Sequence, residues 1–117
     1  MTLPTNLNHV ATANELTELI NKEENVMVCC GRMGPMCIPV YGSMKTLEDS
    51  GDYDHIAFRD MMFDSPEAAA IRNLPECRNF MGLPFVVYFK GGKVAKAVSS
   101  IQSMDMIKSV IDVEFAK

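Results

Sequence analysis

The segment GRMGPMC, residues 31–37, contains the residues of this chain that are best placed for sulfur chemistry. It ends in Cys37, which lies near the start of a predicted helix, MCIPVYGSMKTLEDS. A helix N-terminus carries partial positive charge and free N–H groups, and both favour a thiolate over a thiol. Cys37 is therefore the first candidate for a reactive group, with a buried, unreactive thiol as the alternative.

Three further cysteines could react with Cys37 or with a partner. The segment VMVCC, residues 26–30, is short, apolar and rich in Val, which predicts a buried strand. Side chains alternate along a strand, so Cys29 lies on one face and Cys30, which we expect in the core, on the other. Cys77 is predicted on an exposed loop, as either a regulatory or resolving thiol or an ordinary surface or half-buried cysteine.

A soft-metal site is a third possibility for the same segment. Met33, Met36 and Cys37 place two thioethers and one thiol within five residues, and soft sulfur ligands select Cu(I). Methionine is abundant along the whole chain, however, with 10 residues, and its usual role is to fill the core. We therefore expect no metal site and no cofactor.

The other polar residues give no clear pattern for chemistry. His9 and His55 stand alone, since neither has a metal-ligand spacing to any cysteine. Asp60, Asp64 and Glu67 are expected to form a solvated, helix-capping group rather than an acid/base pair. The sulfur residues remain the strongest candidates.

Composition limits the partner and the compartment. The 117 residues suit a single domain, residues 1–117, and 48% of them are hydrophobic, which is enough for one core. A net charge of −4 argues against nucleic-acid and anionic-membrane partners, because both attract clusters of Lys and Arg. The apolar runs are far shorter than the roughly 20 residues that span a bilayer, and MTLPTNLNHV lacks signal-peptide character. We expect a cytoplasmic monomer with free cysteines.

The elements that must position these residues alternate along the chain. Thr12 and Glu15 form a capping box at the start of the first predicted helix. A mixed α/β sheet with helices on both faces is expected from the alternation and the final hairpin. In chain order, periodicity and turn residues predict a strand at 6–10, a helix at 13–23, a strand at 26–30, a helix at 36–50, a strand at 55–61, a helix at 65–74, strands at 85–90 and 93–100, and a helix at 103–115.

Three stretches make the chain resemble a thioredoxin. VMVCCGRMGPMC is similar to the strand, loop and helix of the thioredoxin active site, and FMGLPFVVYFKGGKV to the family's cis-proline loop, central strand and hairpin. RDMMFDSPEAAAIRNL is similar to its third strand and following helix. The resemblance implies a thioredoxin fold, with a mixed central sheet of four to five strands and helices on both faces. It also implies a cis Leu83–Pro84 bond.

The active-site motif departs from the Trp-Cys-Gly-Pro-Cys of the thioredoxins, because this chain has no Trp and lacks the first cysteine. If Cys37 aligns with the second cysteine, Gly34 replaces the first. If the Gly-Pro pairs are aligned instead, Met33 and Met36 occupy both cysteine positions. The family's buried Asp aligns with Cys29, which would lie under the helix that follows Cys37. A relocated Cys29–Cys37 disulfide is one hypothesis, because a strand residue beneath a helix start could meet the limit of about 7 Å between Cα atoms. The alternative is that Cys29 is a small buried hydrophobic residue.

Two functions follow from the resemblance. The first is a thiol/disulfide redox protein with a degenerate active site, in which Cys37 reacts and Cys29 is a possible resolving partner. The alternative is a non-catalytic module that binds a protein in the groove between GRMGPM and MGLP. Whether the chain is an enzyme stays open. The resemblance implies that a protein disulfide substrate or another protein partner contacts Met33, Gly34, Pro35, Met36, Leu83 and Pro84.

Overall fold

Residues 2–116, which the computed structural model describes, form five strands and four α-helices. Two 3₁₀ turns, Pro66–Ala68 and Pro75–Cys77, accompany them. The strands are β1 (Asn8–Val10), β2 (Asn25–Gly31), β3 (Ala57–Met62), β4 (Phe85–Lys90) and β5 (Lys93–Ser99), and the helices are α1 (Ala13–Lys22), α2 (Ile38–Asp49), α3 (Ala69–Arg72) and α4 (Met104–Glu114).

The strands form one mixed sheet in the order β1-β3-β2-β4-β5. β3 runs parallel to β1 and β2, whereas β4 runs antiparallel to both β2 and β5. β2 is therefore central, and all seven of its residues are buried. The prediction of a mixed α/β sheet is confirmed.

Two cores cover the two faces of the sheet, as the alternation in β2 predicts. Cys29 and Met27 belong to the core that contains buried residues of α2 and α4. Cys30 belongs to the opposite core, which contains Leu16 of α1 and Ile71 of α3. The helices therefore pack on both faces of the sheet, and the C-terminal end of β2 lies between the two layers.

The helix starts agree with the capping residues in the sequence. The Glu15 N–H donates to the Thr12 hydroxyl at 3.1 Å, and α1 begins one residue after Thr12. In α2 the proline at position 39 falls in the first turn, where its missing N–H removes no helical hydrogen bond. Cys37 occupies the N-cap position of α2.

The prediction of one continuous helix over 65–74 is wrong. The segment begins as the 3₁₀ turn and continues only as the four-residue α3. A proline disfavours helical backbone in the residue before it, and Leu74, which precedes Pro75, is extended with φ −62° and ψ 138°. The helix therefore ends before the predicted boundary.

The predicted exposure of Cys77 is also wrong, because the side chain is only 2% exposed. The second 3₁₀ turn folds the segment back, and the Phe80 N–H donates to the Cys77 carbonyl at 3.1 Å. Phe80 then packs edge-on against Phe85, with ring centroids 5.3 Å apart. Burial raises the pKa of the Cys77 thiol to about 11, and Glu76 adds to the effect. Arg78 does not contribute to this shift of the pKa.

Among the helices in residues 2–116, none has the length and apolar character needed to cross a bilayer.

Candidate functional site

Three segments meet at Gly31, the last residue of β2. A Cβ atom at this position would lie 2.7 Å from Tyr41 Oη, 2.8 Å from Cys37 Sγ and 3.1 Å from Pro84 Cβ. Real Cβ atoms do not approach other atoms this closely, so the absence of a side chain allows the three groups to converge. The Leu83–Pro84 peptide bond is cis, and the Cys37 sulfur therefore lies beside the cis-proline loop.

Cys37 is shielded at this junction. Its side chain is 2% exposed, and its Sγ accepts a hydrogen bond from the Arg32 N–H at 3.4 Å. The Tyr41 hydroxyl donates to the Arg32 carbonyl at 3.0 Å, which ties α2 to the backbone above the thiol. The structure therefore shows a buried Cys37 thiol, and its reactivity stays a prediction.

Cys29 lies beneath Cys37 in the same core and is completely buried. Burial raises the pKa of the Cys29 thiol well above its ordinary value, and the neighbouring Cys37 and Cys30 add to the effect. Burial also raises the pKa of Cys30 to about 12, although Arg72 opposes the shift. The structure records all four cysteines as free thiols.

The accessible side of the junction consists largely of methionine. Met33 and Met36 are each 43% exposed, and Met81, just before the cis-proline loop, is 98% exposed. Leu83 is half-buried and touches both cores, and its backbone makes no hydrogen bond to another described residue. The exposed sulfur atoms at the predicted site are therefore thioethers, and the thiols lie below them.

Gly34, Pro35 and Pro84 complete the predicted groove residues. Gly34 is half-buried and has open space where a Cβ would stand, Pro35 is exposed, and Pro84 is buried. The structure thus brings the 31–37 loop and the 83–84 loop to the same end of the sheet. The outer rim of this junction is apolar, and its base contains Cys37 and Tyr41.

The prediction that Asp60 is a solvated, helix-capping residue is wrong. The residue is completely buried rather than solvated, and it lies opposite Cys29 in the pairing of β3 with β2. The Thr5 hydroxyl donates to one carboxylate oxygen, and His9 Nδ1 lies 2.6 Å from the other. His9, for which the sequence indicated no partner, therefore pairs with the buried Asp60, although its own side chain is 27% exposed. The alternation of Phe58 and Asp60 along β3 is the signal that could have indicated this burial.

Within residues 2–116, the His, Cys, Asp and Glu side chains form no group of three that could hold a metal ion. Of the three sulfur groups in the soft-metal hypothesis, the Cys37 thiol is 2% exposed, whereas Met33 and Met36 are each 43% exposed.

Comparison with models of protein families finds no match, and neither does comparison with curated proteins. Solved structures do match. An N21Q mutant thioredoxin from Halobacterium salinarum has 19% identity and a TM-score of 0.75, with 97% of this chain and 95% of that chain covered. A Malassezia sympodialis thioredoxin has 13% identity and a TM-score of 0.76, with 99% and 96% covered. Mitochondrial thioredoxin 3 from Saccharomyces cerevisiae has 18% identity and a TM-score of 0.71, with 91% and 94% covered.

The element order, the position of the cis-proline loop beside the start of α2 and the match over almost the whole chain agree with one another. At these identities the likeness establishes architecture rather than activity. The resemblance in the sequence is confirmed at the level of the fold: this chain has the fold of the thioredoxins.

Proposed function

We propose that this chain is a protein-binding module that takes up an extended segment of a partner in the groove between residues 31–37 and Leu83–Pro84. The observation that carries the proposal is the chemistry of the accessible groove. Its exposed sulfur groups are thioethers, and both candidate thiols are 2% exposed or less. A thiol that attacks a disulfide must reach it, whereas flexible thioethers suit an adaptable contact surface.

The backbone at Leu83 supports the same function. Its N–H and C=O groups have no hydrogen-bond partner among the described residues. An extended peptide that pairs with such groups gains main-chain hydrogen bonds, while its side chains enter neighbouring apolar positions. Met36 and Met33 would supply those positions on one side of the groove.

A selection from a phage-displayed random peptide library tests this function. The affinity of one enriched peptide is then measured for the wild type, for Met36→Ser and for the control Met106→Ser. Met106 is 49% exposed on α4, and Met36 is 43% exposed, so the two substitutions remove similar surface. We expect Met36→Ser to weaken binding about fivefold, since it removes part of an apolar side chain that the bound peptide would bury. No enrichment, or equal losses in both variants, would contradict the proposal.

A second candidate function, thiol/disulfide exchange, is favoured by one observation. The Cys37 sulfur accepts the Arg32 N–H at 3.4 Å, so a backbone donor already faces the sulfur that would react. In the exchange, the Cys37 thiolate would attack a substrate disulfide and release one substrate thiol. The Cys29 thiolate would then attack the Cys37 sulfur and release the second, so that the substrate gains two electrons and the protein dithiol becomes a disulfide.

Peptide mapping distinguishes the two functions. The pure protein is treated with a mild oxidant and digested without reductant, and linked peptides are identified by mass. A Cys29–Cys37 link, together with reduction of insulin that Cys37→Ser abolishes and Cys77→Ser retains, would support exchange. Four free thiols and no insulin reduction would exclude it and leave the binding function.

A further inference from the structure

A solvent-exposed ion pair, Arg32–Asp64, holds the loop that covers Cys37. The Arg32 guanidinium donates to the Asp64 carboxylate through two atoms, Nε at 2.8 Å and Nη2 at 2.7 Å. Such bidentate pairs combine charge with fixed geometry and are stronger than ordinary surface ion pairs. The pair is solvent-accessible, with both side chains 56% exposed.

Phe63 also contacts the loop, through its ring and its backbone. The Arg32 guanidinium lies 5.5 Å from the centre of the Phe63 ring, and Arg72 lies at the same distance from that ring. The Phe63 N–H also donates to the Gly31 carbonyl at 2.9 Å. The segment after β3 therefore holds both the backbone and the side chain of the segment after β2.

Arg32 links this fastening directly to the thiol. Its backbone N–H donates to Cys37 Sγ, and its carbonyl accepts from the Tyr41 hydroxyl. Movement of the Arg32 side chain away from Asp64 would free the backbone that lies on the sulfur. No other ion pair recorded among the described residues includes a member of the 31–37 loop.

We propose that the Arg32–Asp64 ion pair is the clasp that keeps Cys37 shielded, with Arg32 as the positioning residue of the thiol. Opening of the clasp makes Cys37 accessible while the sheet stays folded. The inference goes beyond the proposed binding function, because it concerns access to a thiol and requires no partner.

Alkylation with iodoacetamide, followed by mass analysis of each cysteine peptide, tests the clasp in the whole chain. We expect Asp64→Asn to increase the alkylation rate of Cys37 about twofold to fivefold, within the range for the loss of one surface ion pair. Cys29 and Cys30 should keep their rates, since neither is covered by the loop. Asp64→Glu, which keeps the charge, should return the Cys37 rate toward that of the wild type.

Asp49→Asn is the matched control. Asp49 is 62% exposed and pairs with Lys45 at 3.1 Å within α2, so its loss removes a comparable ion pair away from the loop. Salt gives an independent readout: 1 M NaCl should accelerate Cys37 alkylation in the wild type and not in Asp64→Asn, because only the wild type has a clasp to screen. An unchanged Cys37 rate in Asp64→Asn, or equal acceleration of all four cysteines, would overturn the clasp. Neither result would bear on peptide binding in the groove.

Discussion

At the scale of single residues, Asp60 is the most unusual group in the molecule. It is a carboxyl without solvent exposure, and it lies opposite Cys29 in the pairing of β3 with β2. Burial raises the pKa of Asp60, while hydrogen bonds from Thr5 and His9 oppose the shift without cancelling it. This residue therefore holds its proton to higher pH in the folded protein than in the unfolded chain.

The sign of this shift predicts how stability depends on pH. A carboxyl with a raised folded pKa contributes stability that is lost as the pH rises from about 3.9, the ordinary value for Asp, through its folded pKa. We expect Asp60→Asn to gain stability relative to the wild type over that pH range. Asp64, whose pKa the Arg32 hydrogen bond lowers, has the opposite sign: its contribution is lost as the pH falls. Urea unfolding between about pH 2 and pH 8 measures both, and parallel pH profiles for wild type and Asp60→Asn would contradict the assignment.

At the scale of elements, the junction of β2, α2 and the cis-proline loop depends on Gly31. Two atoms from α2 and its N-cap, Tyr41 Oη and Cys37 Sγ, and one from the cis-proline loop, Pro84 Cβ, lie within 3.1 Å of the Cβ position on β2. A strand residue of any other type would push the Cys37 sulfur, the Tyr41 hydroxyl and Pro84 apart. The close approach of these elements therefore requires glycine at this position.

We expect Gly31→Ala to lower the free energy of unfolding by about 1–3 kcal/mol, the usual range for overpacking a well-filled interior. Gly42→Ala is the matched control. Gly42 lies inside α2 with open space around its Cβ position, so alanine there should stabilise the protein by about 0.5–1 kcal/mol through helix propensity. Urea unfolding measures both variants. A Gly31→Ala protein as stable as the wild type would show that the junction is looser than these distances imply.

At the scale of the whole molecule, Cys37 is protected from alkylation in a different way from Cys29 and Cys30. Cys29 and Cys30 lie on the central strand with no exposure, so only global unfolding uncovers them. Cys37 is covered by a short loop at the end of the sheet, which local opening can displace. Protection of a thiol therefore reports the depth of its position in the fold.

Urea dependence of alkylation separates these cases. We expect the rates at Cys29 and Cys30 to follow the global unfolding transition, and the rate at Cys37 to be higher in the absence of urea and less dependent on urea below the transition. Mass analysis of each cysteine peptide gives the rates within one sample. Identical urea dependence at Cys37 and Cys29 would mean that the loop opens only when the whole protein unfolds.

Local patterns in the sequence predicted most of the elements and, with the resemblance, the architecture. Capping at Thr12, alternation along residues 26–30 and the glycine turn after residue 90 are local features, because a backbone responds to neighbours within a few positions. They sufficed for the helix starts, for the opposite faces of Cys29 and Cys30, and, with the resemblance, for the mixed sheet. The resemblance also predicted that the 31–37 loop and the Leu83–Pro84 loop lie near each other, and both approach Gly31 in the structure.

Only the tertiary structure decided which groups are exposed and which are paired. Asp60 is buried because Thr5 and His9, more than 50 residues away in the chain, supply its hydrogen bonds. Cys77 is buried because a 3₁₀ turn folds its loop against the sheet, although its sequence neighbours are charged. Burial of a loop residue depends on segments that are distant in sequence, so no local pattern specifies it. For the same reason, the pairing of Arg32 with Asp64 above Cys37 became visible only when the ends of β2 and β3 were brought together.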